Sequence, residues 1–101
     1  MGVELRKKDI GTLRAIFELF PSVESVRVFG SRATGGARRA SDIDIAIYAP
    51  GMADRTWSEL RDALDSAPLI YGLDVVRMEK LTDEKLRGRI NSDGIEIYTR
   101  I

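Results

Sequence analysis

The chain contains neither cysteine nor histidine. Without cysteine there is no disulfide and no thiolate metal site, which suits a reducing compartment and sets the expectation of a cytoplasmic protein. Without histidine the commonest general base and the commonest transition-metal ligand are both missing. What remains is oxygen chemistry with hard cations. Net charge is missing too, because 16 Lys and Arg balance 16 Asp and Glu. No overall basic field draws the chain to nucleic acid, so direct nucleic-acid binding is not expected. No apolar run of membrane-spanning length, signal peptide, internal repeat or low-complexity tract occurs, and no membrane role is expected.

What is present is an ordinary globular balance, 44% hydrophobic and 32% charged over 101 residues. That length accommodates one compact domain, 1–101, without room for a second. Ile10, Leu13, Ile16, Phe17 and Phe20 recur at helical spacing, which predicts a helix from about Arg6 to Leu19, closed by Pro21. Val26 and Val28 flank Arg27 in a strand that runs into Gly30. Residues 31–40 read as a short helical turn and a loop. Ile43, Ile45 and Ile47 alternate with Asp42, Asp44, Ala46 and Tyr48 as a second strand. Thr56 and Glu59 read as a capping box for a helix with Trp57, Leu60 and Leu64 on its apolar stripe. Leu69 to Met78 reads as a strand interrupted near Gly72. Thr82 is expected to cap a last helix that ends at Gly94, with a staple between Leu81 and Leu86. Ile95, Ile97 and Ile101 alternate with Glu96, Tyr98 and Arg100 in a final strand. This order implies an α/β (α+β) fold, a mixed sheet covered by helices.

Two features carry chemistry. Side chains two apart on a strand share a face, so Asp42 and Asp44 project together, their Cα atoms roughly 6.6 Å apart at about 3.3 Å per residue. Two carboxylates at that spacing suit a metal pair about 3.5–4 Å apart. A lone Asp-x-Asp is more often the wet face of a strand, but here Gly30-Ser31 comes before it with ten residues between Ser31 and Asp42. Gly30 ends a strand where the backbone must turn tightly and admit a phosphate, and Ser31 offers an N–H and a hydroxyl. Asp74 interrupts an apolar strand, where an unpaired carboxylate is costly and a metal relieves the cost. Glu79 and Asp65 are weaker acidic candidates. Arg32, Arg38 and Arg39 make the intervening stretch basic, and Arg38 can neutralise a triphosphate or the leaving pyrophosphate. A solvated loop is an equal reading for Arg38 and the better one for Arg39. Ser41 reads as no more than a residue that caps or orients the entry to the Asp42 strand. Trp57, Phe17 and Phe20 fall on apolar stripes and read as core.

The run Val28-Phe29-Gly30-Ser31-Arg32-Ala33, followed by Ser41-Asp42-Ile43-Asp44-Ile45-Ala46-Ile47, resembles the DNA polymerase β-type nucleotidyltransferase superfamily, and within it the minimal nucleotidyltransferase (MNT) domains. The Asp74 strand and the closing 89–98 segment extend the resemblance over nearly the whole chain. It implies that Gly30 and Ser31 hold nucleotide phosphates, and that Asp42 and Asp44 hold two Mg²⁺ ions. Asp74 then joins the metal that activates the acceptor hydroxyl. Similar MNT domains are paired with HEPN-domain toxins and can transfer AMP from ATP to a toxin tyrosine.

Three functional readings follow. The first is a Mg²⁺-dependent adenylyltransferase acting on a hydroxyl of a HEPN partner, as the antitoxin of a toxin–antitoxin module. Only 27 residues follow Asp74 (101 less 74), which leaves the acceptor to be held by, or to be, another chain. The second is a non-catalytic antitoxin that neutralises its partner by occlusion. The third is a small-molecule nucleotidyltransferase, which normally needs an added domain to hold its substrate.

Overall fold

A computed structural model describes residues 3–35 and 42–100. The elements run α1 (Lys7–Glu18), β1 (Ser25–Phe29), α2 (Ser31–Thr34), β2 (Ile43–Tyr48), α3 (Asp54–Asp65), β3 (Leu73–Arg77), a 3₁₀ turn (Met78–Lys80), α4 (Glu84–Asp93) and β4 (Ile95–Thr99). The four strands form one sheet in the order β3-β2-β1-β4, with β2 and β3 parallel and the other pairs antiparallel. This is the expected mixed sheet between helices.

Burial follows the side-chain alternation. One face presents Val26, Val28, Ile43, Ile45 and Ile47 to Leu13 and Phe17 of α1 and Leu60 and Leu64 of α3, and all of these are buried. The other face carries a smaller cluster in which Ile90 of α4 lies on Phe29 and Ala46. Ile43, Ile45 and Ile47 thus anchor the thicker layer, while Asp44 on the same strand points to the thinner one. Trp57, Phe20, Ile10 and Ile16 are half-buried against the main cluster, as core residues.

Several local expectations are corrected. Thr56 and Glu59 form no capping box, because α3 begins at Asp54 with no side-chain cap. Asp54 suits the positive end of the helix and its carboxylate accepts from Arg77 at 2.9 Å, which favours the earlier start. Asp83, not Thr82, caps α4: its Oδ1 accepts from the N–H groups of Lys85 (3.0 Å) and Leu86 (3.1 Å). Aspartate is the stronger N-cap of the two. Leu69–Gly72 is an irregular bend rather than strand, with the Leu69 N–H bonded to the Ala67 carbonyl. Strand pairing starts where the Ile43 N–H reaches the Gly72 carbonyl at 2.8 Å. In β4 the alternation breaks. Val26 pairs with Tyr98 and Arg27 with Glu96, so Ile97 is an extra residue, and Ile97 and Tyr98 are both buried. Tyr98 packs on Phe17 with ring centroids 5.6 Å apart. Ile101 lies outside the described residues.

Arg77 ties β3 to the start of α3. It donates to Glu79, to Asp54 and to the Met52 carbonyl, and its guanidinium lies over Trp57 at 5.2 Å. Burial by itself would push the Glu79 carboxyl up, but the bonds from Arg77 and from the Ala49 N–H outweigh it and hold the group below its ordinary value. Glu79 therefore stabilises the fold above the ordinary glutamate range, and that contribution is lost as pH falls through its lowered value. Arg77→Ala should cost about 2–3 kcal/mol at neutral pH. Denaturant titrations of the variant should show a flatter loss of stability on acidification than wild type. Parallel curves would contradict this account of Glu79.

Candidate active site

The sheet register gathers the site. Phe29, the last residue of β1, pairs with Asp44, and Asp44 pairs with Asp74. β1 therefore ends where β2 and β3 begin, so Gly30, Asp44 and Asp74 stand in a row across three neighbouring strands.

Gly30 has φ +70°, in the region that favours glycine. A side chain there would also collide with the Asp44 carboxylate. The missing Cβ is what lets this acid lie directly against the turn. Gly72 does the same for Asp42, since a Cβ built there would come within 2.7 Å of Asp42 Oδ1. Asp42 stands just before β2 rather than within it, exposed, with its carboxylate over Gly72. Asp74 is exposed as well, so the expectation that burial makes its charge costly is corrected. It lies on an edge strand, and what marks it is its place beside Asp44.

Electrostatics single out Asp44. Burial comes first in pushing its carboxyl above the ordinary value, followed by the charges of Asp74 and Asp42 and a hydrogen bond shared with Asp74. The nearby Arg32 guanidinium opposes this. Three negative groups that repel one another, with only oxygen donors, are chemically matched to a hard divalent cation. Among the described residues, no three acidic side chains stand close enough to hold an ion as they are. The convergent pair is Asp44 and Asp74.

The family model described as polymerase beta, nucleotidyltransferase matches residues 11–101. The chain belongs to this family. No curated protein matches it. Among solved structures, a toxin–antitoxin complex with AMP-PNP superposes with a TM-score of 0.74 at 23% identity, covering 91% of this chain and 74% of that one. A mutant toxin–antitoxin complex containing MntA gives 0.68 at 25% identity, covering 95% and 74%. A tri-AMPylated Shewanella oneidensis HEPN toxin in complex with an MNT antitoxin gives 0.54 at 24%, covering 92% and 68%.

In this nucleotidyltransferase, Ser31 opens α2 directly after Gly30. The Gly30 carbonyl accepts the N–H groups of Ala33 and Thr34, whereas the N–H and hydroxyl of Ser31 have no partner among the described residues. Beside the turn lies a cavity of about 300 Å³ lined by Phe29, Gly30, Thr34, Asp44, Leu86, Arg89 and Asp93. Ser31, Asp42 and Asp74 are not part of that lining. A second cavity of about 260 Å³, with Arg27, Tyr48, Arg87 and Asn91 in its wall, contains none of the acids. Arg38, Arg39 and Ser41 lie outside the described residues. Of the weaker candidates, Glu79 is committed to Arg77 and Ala49, and Asp65 faces solvent near Arg61.

The sequence alone gives Arg32 no role of its own. It is buried, with its guanidinium 4.2 Å from the centre of the Tyr71 ring and Nη1 donating to the Glu4 carbonyl at 2.9 Å. It is a fixed cation behind Asp44 rather than part of a solvated loop. Nothing in the sequence marks Arg89, Asp93 and Thr34 as cavity residues, because only the packing of α4 and α2 brings them there.

Because the folded state disfavours the charged form of Asp44, the charge costs stability above its raised pKa, and that cost vanishes below the ordinary aspartate range. Asp44→Asn should therefore raise the Tm of the metal-free protein at neutral pH, with the gain shrinking as the pH is lowered. Magnesium should raise the Tm of wild type and leave the variant unchanged. A variant that melts below wild type without metal at every pH would contradict this reading.

Proposed function

We propose that this nucleotidyltransferase is a Mg²⁺-dependent adenylyltransferase that moves AMP from ATP to a hydroxyl, a tyrosine, of a HEPN-family toxin, and so serves as the antitoxin of a toxin–antitoxin module. The observation that carries the reading is the row Gly30–Asp44–Asp74. It places a phosphate-sized turn and two mutually repelling carboxylates side by side on three strand ends. Support for the nucleotide comes from the likeness to a complex with AMP-PNP, and for the acceptor from the likeness to an AMPylated HEPN toxin bound to an MNT antitoxin.

Residues 1–101 act in this proposal as one minimal domain. Gly30 and Ser31 hold the phosphates, assisted by Arg38. Asp42, Asp44 and Asp74 hold two magnesium ions, with Asp42 completing the set from its position over Gly72. When bound, the ions activate the acceptor hydroxyl and neutralise the departing pyrophosphate. Asp74, the exposed member of the pair, orients the incoming hydroxyl. The hydroxyl oxygen bonds to the α-phosphorus, the bond to the β-phosphate bridging oxygen breaks with its electron pair leaving on pyrophosphate, and the hydroxyl proton passes to solvent.

A second reading, neutralisation by occlusion, is favoured by Ile70, an apolar side chain 77% exposed two residues before Gly72. Incubation with ATP labelled at the α-phosphate, magnesium and a HEPN toxin separates the two. Label should move to the toxin with wild type, and transfer should fall at least about a hundredfold with Asp42→Asn plus Asp44→Asn. A double variant that neutralises the toxin as well as wild type at equal abundance would establish occlusion instead.

A further inference from the structure

Among the described residues, the other arginines near the acidic site are already engaged. Arg32 holds Glu4 and lies on Tyr71; Arg87 donates to the carbonyls of Met78 and Leu81; Arg27 reaches Asn91. Arg89 differs. It is exposed on α4, lines the cavity that also contains Gly30 and Asp44, and has no hydrogen bond or ion pair among the described residues. Asp93, one turn further along α4, lines the same cavity and is not paired with it. An uncommitted guanidinium therefore faces a cavity that the acidic cluster leaves electrostatically hostile to a polyphosphate.

Its side of the site matters. The strand order puts β1, with Phe29 and Gly30, on one flank of Asp44, and β3, with Asp74, on the other. In-line displacement at a phosphorus needs the attacking and leaving oxygens on opposite sides. An acceptor brought in by Asp74 sets the leaving group on the β1 flank, where Arg89 stands. A planar fork of donors matches phosphate oxygens and keeps its charge at any working pH.

We propose that Arg89 binds the β- and γ-phosphates of the nucleotide and retains them as pyrophosphate departs. This rests on the nucleotidyltransferase reading above and goes beyond it by naming the leaving-group contact and the flank it occupies.

The test is calorimetric titration of the whole chain with ATP and with AMP, in magnesium. The variants are Arg89→Ala, Arg89→Lys and, as a control on the same helix away from the cavity, Lys85→Ala. Arg89→Ala should weaken ATP binding about tenfold or more while leaving AMP binding within about twofold. Arg89→Lys should lie between, and Lys85→Ala should match wild type. Equal ATP affinity in wild type and Arg89→Ala overturns the assignment and leaves the nucleotidyltransferase reading standing, as does an equal loss for ATP and AMP. Wild type that takes up no ATP with magnesium overturns both.

Discussion

The site depends on one close approach, that of the Asp44 carboxylate to the backbone of Gly30. Any Cβ at position 30 would occupy the space of that carboxylate, and the positive φ there already favours glycine. With the acid and the turn in contact, the register of a short antiparallel pair and a short parallel pair does the remaining work. β1 delivers the turn, β2 the half-buried acid and β3 the exposed one. The buried isoleucines of β2 hold that register, because a slip of one residue would bring Asp44 into the core.

This arrangement stores repulsion. Asp44 is half-buried beside two other acids, and Arg32, locked behind it by Tyr71 and Glu4, relieves only part of the effect. Structures seldom keep like charges together without a counter-charge. The same cluster that weakens the metal-free fold is suited to a divalent cation, and a cation-loaded cluster is suited to a polyphosphate. On the proposed function, stability and activity therefore draw on Asp44 in opposite directions.

Much of this was legible in the residues. The isoleucine alternation located β2 and its two faces, and the Gly30-Ser31 elbow was recognisable because few other residues tolerate such a turn. The element order was enough to expect a mixed sheet between helices. Features set by tertiary partners were not legible. The start of α3 is shifted by Arg77, which lies 23 residues from Asp54. The bulge at Ile97 places Tyr98 inside, against the period-two pattern. Asp9 sits on the apolar stripe of α1 and is fully buried, tolerated because Arg6 forks its carboxylate at 2.9 and 3.1 Å. The apolar neighbours of Asp74 suggest burial, yet it stands in solvent; strand register, which no local pattern reveals, is what joins it to Asp44. Arg89 enters the site only through the packing of α4 onto Phe29 and Ala46.

The most direct test is a crystal grown with manganese in place of magnesium and a non-hydrolysable ATP analogue, with the ions located by anomalous scattering. Metal density should be bounded by Asp42, Asp44 and Asp74, with the analogue's phosphates against Gly30 and Ser31. Metal bound elsewhere, or Asp74 left in solvent while the analogue occupies the cavity, would contradict it.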